Sequence, residues 1–441
     1  MAQVRFPQLS QQALDYVMGG KIKSLLDLQQ LSPGGYDLAE LSGKRVPTLY
    51  IHIPFCHTLC RFCSFFRLKY DEAKAREYFK LLRQEVEILA QVGVQFDRLY
   101  IGGGTTTIIE SELIETIELI KSRFDIQEVS CESDPIYFEN SNPLALKGLV
   151  DRFSIGIQSF DDEILKHSGR YEKFGSGDAI ADLSARAIAE FPTINLDMMM
   201  GFNNQTPDAL TEDLMRASAL KPGQITLYPL TLGVGKNRKK AGKLAGNPAD
   251  LLGLYQTGRN VLEPGYEREY AWTYRRATGL PVEHDYVLDG EDCVGIGCGA
   301  FGRIGNKFYL SSFNLDDYAR RVKAGELSCT SHKDLSTPLM RRYHLLMMMV
   351  KGHLPNSVFE KLYGRSLYTA LPAEMAFLRL HGAIVPSACG DGYRTTPTGE
   401  FVALKMFSGF LAGMDWLREQ AGSAAEEAQI ARGQAIEVQA A

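Results

Sequence analysis

Three of the chain's eight cysteines fall within eight residues, in the run Cys56-His-Thr-Leu-Cys60-Arg-Phe-Cys63. Pro54 ends the apolar stretch before them, which places this C-x3-C-x2-C motif on a loop where three thiolates can wrap one compact metal centre. Two centres fit that donor set. A tetrahedral zinc site asks for a fourth ligand, and His57 is nearest in the chain, but a residue adjacent to one ligand usually points away from the site. A four-iron cluster held by three cysteines instead leaves one iron with a position open to substrate or cofactor. Three unrelated buried thiols is the bland alternative, and the spacing speaks against it. Cys131, Cys293, Cys298, Cys329 and Cys389 are scattered and read as small packing residues; only Cys298, in the turn GIGCGAFG, invites a test.

What holds such a loop should be a large domain. A chain of 441 residues exceeds the size at which one hydrophobic core stops growing, so a catalytic-type domain with a smaller companion is expected. The balance of 48 Lys and Arg against 53 Asp and Glu, net −5, argues against a generic nucleic-acid binder. No apolar run reaches the ~18 residues a membrane span needs, and the first residues show no continuous apolar segment of signal-peptide type. A cytoplasmic, reducing location is therefore expected, where clustered cysteines bind metal sooner than they form disulfides.

Residues 1–47 read as an irregular lead-in broken by Gly19-Gly20 and Ser32-Pro33-Gly34-Gly35. From there short apolar or β-branched runs alternate with helical patterns. The runs are TLYIHI (48–53), RLYIGGG (98–104), EVSCES (128–133), RFSIGIQS (152–159), INLDMM (194–199) and QITLYPL (224–230). The helical patterns fill 71–92, 110–122, 175–190, 207–219 and 248–262. Six such units predict an α/β fold with a parallel sheet and right-handed crossovers, either doubly wound or a barrel. Both architectures put chemistry at the carboxyl ends of the strands, where IPFC, GGGTTT, CESDP and GIQSF fall.

Past about 330 the pattern changes. Helical periodicity at 337–351, 355–363 and 371–383 leads into AIVPSACGDGYRTTPTGEFVAL, read as a Gly/Pro-containing hairpin. Three helices and a β-wing predict a winged-helix-like C-terminal domain over 306–420, acting as a lid or packing domain rather than a reader of nucleic acid. The Ala-, Glu- and Gln-rich residues 421–441 read as a frayed helix or flexible tail.

The segment YIHIPFCHTLCRFCSFF (50–66) resembles the signature of the radical S-adenosylmethionine (SAM) superfamily. The branch it resembles is that of oxygen-independent coproporphyrinogen III dehydrogenase, the haem chaperones and the class C radical methyltransferases. The likeness continues in order through most of 48–305: GGGTTT (102–107), ESDP (132–135), RFSIGIQSF (152–160) with Gly169-Arg170 behind it, NLDMMMGF (195–202) and GIGCGAFG (295–302). It implies a partial, three-quarter (β6α6) TIM-like barrel over 48–305, with one [4Fe-4S] cluster on Cys56, Cys60 and Cys63. The open iron would chelate SAM, and an electron passed through the cluster would cleave it to methionine and a 5′-deoxyadenosyl radical that takes hydrogen from the substrate.

Carried over by motif position, Tyr50, Phe62, Gly103 and Glu132 contact the cluster-bound SAM, and Gly104, Thr105, Gln158, Arg170 and Asp197 match positions that hold a second one. The residue types suit these roles. Glycines let backbone approach the methionyl group where a Cβ would collide, although GGG also makes a plain tight turn. Glu132 can accept from an ammonium or a ribose hydroxyl, and Phe62 can shield the cluster and contact adenine. A guanidinium at 170 suits a carboxylate, and a carboxylate at 197 suits an ammonium or ribose; the structural alternative for Asp197 is a core carboxylate paired to an internal arginine.

Departures from the branch's patterns bear on the reaction. Phe65 stands where the coproporphyrinogen enzymes carry a further cysteine, and their RYTSYPTA-like N-terminal run is absent. GGGTTT replaces GGGTPT, GFNNQT replaces GLPGQT, and EHDYVLDGEDCVGIG (283–297) matches the chaperones' HNxxYW-like segment only in part. The phenylalanines around Cys63 look closer to the class C enzymes. The resemblance thus implies methyl or methylene transfer from two SAM to an unsaturated substrate, with tetrapyrroles and haem as candidates. Oxidative decarboxylation of coproporphyrinogen III, and haem delivery with little SAM turnover, are the alternatives. The implied partners are a small-molecule substrate and an electron donor such as flavodoxin or ferredoxin, with no nucleic acid and no membrane span.

Overall fold

The computed structural model describes residues 32–63, 65–140, 143–231, 242–247, 250–277 and 290–409. Most of the lead-in, through 31, the segment 283–289 and the tail expected at 421–441 lie outside the described residues.

The six apolar runs form strands and the patterns between them form helices. In chain order these are β1 (Arg45–Ile53), α1 (Glu72–Gln91), β2 (Gln95–Gly103), α2 (Glu110–Arg123), β3 (Glu128–Ser133), β4 (Arg152–Gln158), α3 (Gly177–Glu190), β5 (Thr193–Met200), α4 (Pro207–Ala219) and β6 (Gln224–Pro229). A further helix, α5 (Leu251–Leu262), follows. Each of β1 to β6 pairs with the next in parallel, so the sheet order is the chain order. Repeated crossovers of one hand then stack the helices on one face and curl the sheet around the other, as a partial barrel. Tyr78, Leu82, Val86 and Leu89 of α1 are buried together, as their helical spacing predicts. Asp71, Ser176 and Thr206 cap α1, α3 and α4 by accepting N–H groups three residues on, and Pro207 sits in the first turn of α4.

The barrel stays open, and the sheet grows past both of its edges to thirteen strands. Beyond β6 lies the hairpin Glu267–Tyr270 and Thr273–Arg275. Beyond β1, Cys293–Ile296 pairs in parallel, followed by an antiparallel run of Phe301–Ile304, Lys307–Ser311, Cys329–Asp334 and Ser32–Pro33. The domain boundary drawn at 305 falls in the turn between two of these strands, because backbone pairing carries the sheet on to Asp334 where no motif marks it. Buried Glu85 of α1 braces this extension by accepting the Gly297 N–H at 2.9 Å and the Ser328 N–H at 2.7 Å.

The C-terminal part has helices Thr337–Lys351, Asn356–Tyr363 and Pro372–Leu380 with a small antiparallel sheet of His353–Leu354, Tyr393–Thr395 and Ile384–Pro386. These are the expected helices and wing. One element differs. Residues 397–404, the end of the expected hairpin segment, belong instead to a helix over 397–409. Thr396 Oγ1 accepts the Gly399 N–H, and Pro397 follows the cap, so Thr-Pro is here a helix start; the Gly/Pro density upstream hid it. No described helix is long and apolar enough to cross a membrane.

Candidate functional site

At the carboxyl end of β1 the chain makes a short strand, Phe55–Cys56, paired in parallel with Leu68–Lys69. The Leu68 N–H donates to Pro54 O at 2.6 Å and the Tyr70 N–H to Cys56 O at 2.9 Å, which closes the cysteine loop at its root. Arg67 laces the loop from within, donating to the carbonyls of Cys60 at 3.2 Å and Cys63 at 3.0 Å. Arg61 ties its outer side to His167 O at 3.1 Å.

All three cysteines line one cavity of roughly 310 Å³ at the strand ends. Phe62, Gly103, Gly104, Thr105, Glu132, Gln158, Arg170 and Asp197 line the same cavity. Tyr50 does not. It is 3% exposed and packs beneath Gly102, with its hydroxyl 2.8 Å from His52 Nδ1, whose Nε2 is 3.0 Å from Phe66 O. The sequence places Tyr50 near the site, but its strand turns it behind the wall, where it supports the loop through His52.

The glycines at the end of β2 are required first by the chain itself. Gly103 has φ +120°, and a Cβ there would stand 2.8 Å from Ile53 O; a Cβ on Gly104 would stand 2.5 Å from Phe55 O. The N–H groups of Gly104 and Thr105 donate to those same two carbonyls, each at 2.7 Å. This turn therefore grips the root of the cysteine loop. Gly104→Ala should force the two segments apart, lower stability by about 1–3 kcal/mol and reduce the iron retained per chain after reconstitution. An unchanged melting temperature and iron content would contradict this.

Residues two apart share a strand face, and this brings several polar groups of the strands to the lumen. Ser154 and Gly156 of β4, Asp197 and Met199 of β5 and Tyr228 of β6 turn to the cavity, while Ile155, Ile157, Leu196, Met198 and Leu227 are buried in the core cluster. Ser154 Oγ donates to Asp197 Oδ2 at 2.8 Å, and Asn195 Nδ2 donates to Asp197 Oδ1 and to Ser154 Oγ, both at 2.7 Å. Glu132 accepts the Tyr100 hydroxyl and the Gly103 N–H, both at 3.1 Å. Gln158 has φ +74° just past a register shift in β4, an uncommon conformation for a side chain of its size. The Arg170 guanidinium lies 4.4 Å over the Phe174 ring, bonds Gly156 O and reaches Cys60 Sγ at 3.5 Å; its Nε has no partner.

Three charged residues of the wall are not singled out by the sequence: Arg67, which laces the cysteine loop, Asp134 and Lys173. Asp134 and Lys173 form a 2.7 Å ion pair inside the cavity, and Thr105 Oγ1 donates to Asp134 Oδ2 at 3.2 Å. Asp134 lay in the ESDP motif and could have been found there; Lys173 follows Arg170 by three residues on a short helix whose existence had no periodic signal. The apolar wall residues Trp272, Leu404 and Phe407 come from outside the six units altogether. Cys131, Cys293, Cys298 and Cys329 are buried as expected, whereas Cys389 is exposed, because it sits in the tip of the hairpin.

The donor set suits a cluster. Burial, reinforced by Cys63, pushes the Cys56 thiol up to about 11, with Arg67, Lys173 and Thr105 pulling the other way, so binding an iron there must displace a proton. Among the described residues no three His, Cys, Asp or Glu side chains converge on a single ion. Three thiols lining one cavity fit a centre in which each holds its own iron.

Asp213 of α4 fixes the turn after β4, accepting the Ser159 hydroxyl at 2.6 Å and the Phe160 N–H at 2.7 Å. Burial pushes its carboxyl up to about 6. Its folded value thus exceeds the unfolded value of about 3.9, so its contribution to stability is fully present below pH 4 and is lost as pH rises through 6, by about 3 kcal/mol at most. In urea melts of the apoprotein, Asp213→Asn should gain on the parent between pH 4 and pH 7; parallel curves would contradict the assignment.

Comparison with known proteins agrees with this geometry. A sequence model described as the Radical SAM superfamily matches residues 50–217. The chain is 31% identical over 404 residues to the oxygen-independent coproporphyrinogen III oxidase of Paracoccus denitrificans (strain Pd 1222), covering 85% of this chain and 88% of that protein. It is 25% identical over 376 residues to the heme chaperone HemW of Bacillus subtilis (strain 168), covering 82% of this chain and 98% of that protein. Its fold matches the solved coproporphyrinogen III oxidase (HemN) of Escherichia coli with a TM-score of 0.69 at 21% identity, over 86% of this chain and 92% of that one.

Proposed function

The chain belongs to the radical SAM superfamily, and from that premise we propose that it transfers a methyl or methylene group to an sp² carbon of an unsaturated ring, a tetrapyrrole first among candidates, using two SAM molecules. The family implies a [4Fe-4S] cluster and SAM. The observation that carries the proposal is that the three cysteines and the residues matched to both SAM positions, Tyr50 excepted, line one continuous cavity.

A bound cluster supplies the electron that splits SAM to methionine and a 5′-deoxyadenosyl radical. The protein's part is placement. Cys56, Cys60 and Cys63 would hold three irons. Glu132, fixed by Tyr100 and the Gly103 N–H, would accept from the first SAM, and Phe62, packed beside Phe202 and Met199, would keep water from that end. Asp197, held by Ser154 and Asn195, and Arg170, held over Phe174, would take the ammonium and carboxylate of the second SAM. Phe65 turns a ring to the cavity where the coproporphyrinogen enzymes have a cysteine, which supports a different use of the radical.

The second reading is oxidative decarboxylation of coproporphyrinogen III, favoured by the 31% identity to the Paracoccus enzyme. One anaerobic assay separates the two: reconstituted protein, dithionite, methyl-labelled SAM and haem or coproporphyrinogen. Label in the product together with S-adenosylhomocysteine is the expected result. Carbon dioxide and 5′-deoxyadenosine without label transfer would replace it with decarboxylation, and stoichiometric haem uptake without SAM cleavage would replace it with haem delivery.

A further inference from the structure

Among the described residues, the cations of the cavity gather near the cysteine loop and are already engaged. Arg67 holds the carbonyls of Cys60 and Cys63, Arg170 holds Gly156 O, and Lys173 is paired to Asp134. The rest of the wall includes Tyr228, Trp272, Phe301, Leu404 and Phe407 and, among the described residues, has no lysine or arginine. Leu404 and Phe407 come from the 397–409 helix, and Trp272 from the hairpin turn past β6, where its carbonyl accepts the Leu227 N–H at 2.8 Å. The Trp272 and Phe407 rings lie 4.9 Å apart at 34°.

Trp272 is 1% exposed, and its indole Nε1–H has no hydrogen-bond partner. Buried donors are rarely left unmet, since each costs about 1–3 kcal/mol. A tryptophan used only for packing could be replaced by a phenylalanine without that cost. The orphaned donor on a mostly apolar stretch of cavity wall is thus a position for an acceptor that arrives with a ligand.

We propose that this wall is the substrate subsite, and that it takes the uncharged, planar face of a conjugated ring carrying a hydrogen-bond acceptor for the Trp272 N–H, with Phe407 flanking the ring. The proposal rests on reading the cavity as a radical SAM site and adds what that site accepts. Carboxylates on the substrate would point away from this wall, whose described residues offer them no cation, so the ring itself is what meets the radical.

The test pairs two probes with one ring: deuteroporphyrin IX, a dicarboxylate, and its dimethyl ester, which is neutral. Each is titrated anaerobically into SAM-loaded holoenzyme and followed by porphyrin fluorescence. The ester should bind at least as tightly as the diacid, with little dependence on salt. Trp272→Phe, which keeps the ring and removes the donor, should weaken ester binding about tenfold, one hydrogen bond's worth. Phe407→Leu, which keeps the core filled, should weaken it severalfold. Cluster absorption reports whether each variant is folded. Tighter, salt-sensitive binding of the diacid, no binding of either probe, or unchanged ester affinity in Trp272→Phe would each overturn the subsite. Failure of the underlying reading would show separately, as no 5′-deoxyadenosine from the parent holoenzyme with dithionite and SAM.

Discussion

Cys60→Ala, purified and reconstituted anaerobically beside the parent, should hold no stable [4Fe-4S] cluster and cleave no SAM. Three thiolates are the whole protein ligand set for such a centre, so losing one strands an iron that no neighbouring donor can reach. Cys60 is also the thiol that Arg170 meets at 3.5 Å, so its loss removes one contact between the cysteine loop and the cavity wall. The loop itself should survive, because Arg67 and the Phe55–Cys56 and Leu68–Lys69 pairing hold it through backbone atoms. Iron and sulfide per chain, with the visible absorption band, give the readout, and Cys56→Ala and Cys63→Ala should behave alike. A variant that keeps the parent's iron, sulfide and absorption would remove these residues from the ligand set. Tight zinc retention by the parent with no absorption band would return the site to the zinc reading.

Glu400→Ala should be the most damaging single change away from the cysteines, costing about 3–5 kcal/mol of stability. Glu400 is 2% exposed on the 397–409 helix and receives two guanidiniums, Arg259 of α5 at 2.9 Å and Arg268 of the edge hairpin at 2.8 Å. Tyr255 donates to it as well, at 3.3 Å. Without the carboxylate the two partly buried guanidiniums lose their common partner, Arg259 keeping Glu263, and their mutual repulsion is no longer offset. The helix held by this contact carries Leu404 and Phe407 to the cavity, so the variant should also lose affinity for ring probes. Denaturant melts of the apoprotein check the first effect and porphyrin titration the second. A loss below about 1 kcal/mol would show that the two guanidiniums find water or another partner.

Some of this protein can be read without coordinates. The loop of Cys56, Cys60 and Cys63 is legible because its ligands are neighbours in the chain, and β1 to β6 are legible because each is a short apolar run bounded by turns and separated by a helical period. That the sheet is parallel follows from those units, whereas its strand order, a barrel's rather than a doubly wound sheet's, is decided by the fold. The convergence of Glu132, Arg170 and Asp197 is foreseeable in outline for the same reason, as the carboxyl ends of neighbouring strands meet at one rim.

What tertiary structure alone decides is which face and which distant segment complete the site. Tyr50 lies six residues before Cys56, yet strand register sends its ring behind the wall, against Tyr100 and Phe301. Glycines expected to make room for a ligand turn out to make room for the carbonyls of Ile53 and Phe55. The pair Asp134–Lys173, the bracing of the sheet extension by Glu85, and the meeting of Trp272 with Phe407 join residues far apart in sequence, and no spacing rule links them. Local chemistry and periodicity are written in neighbouring residues and so survive in the sequence. The far wall of the cavity, which should select the substrate, exists only once the chain has folded back on itself.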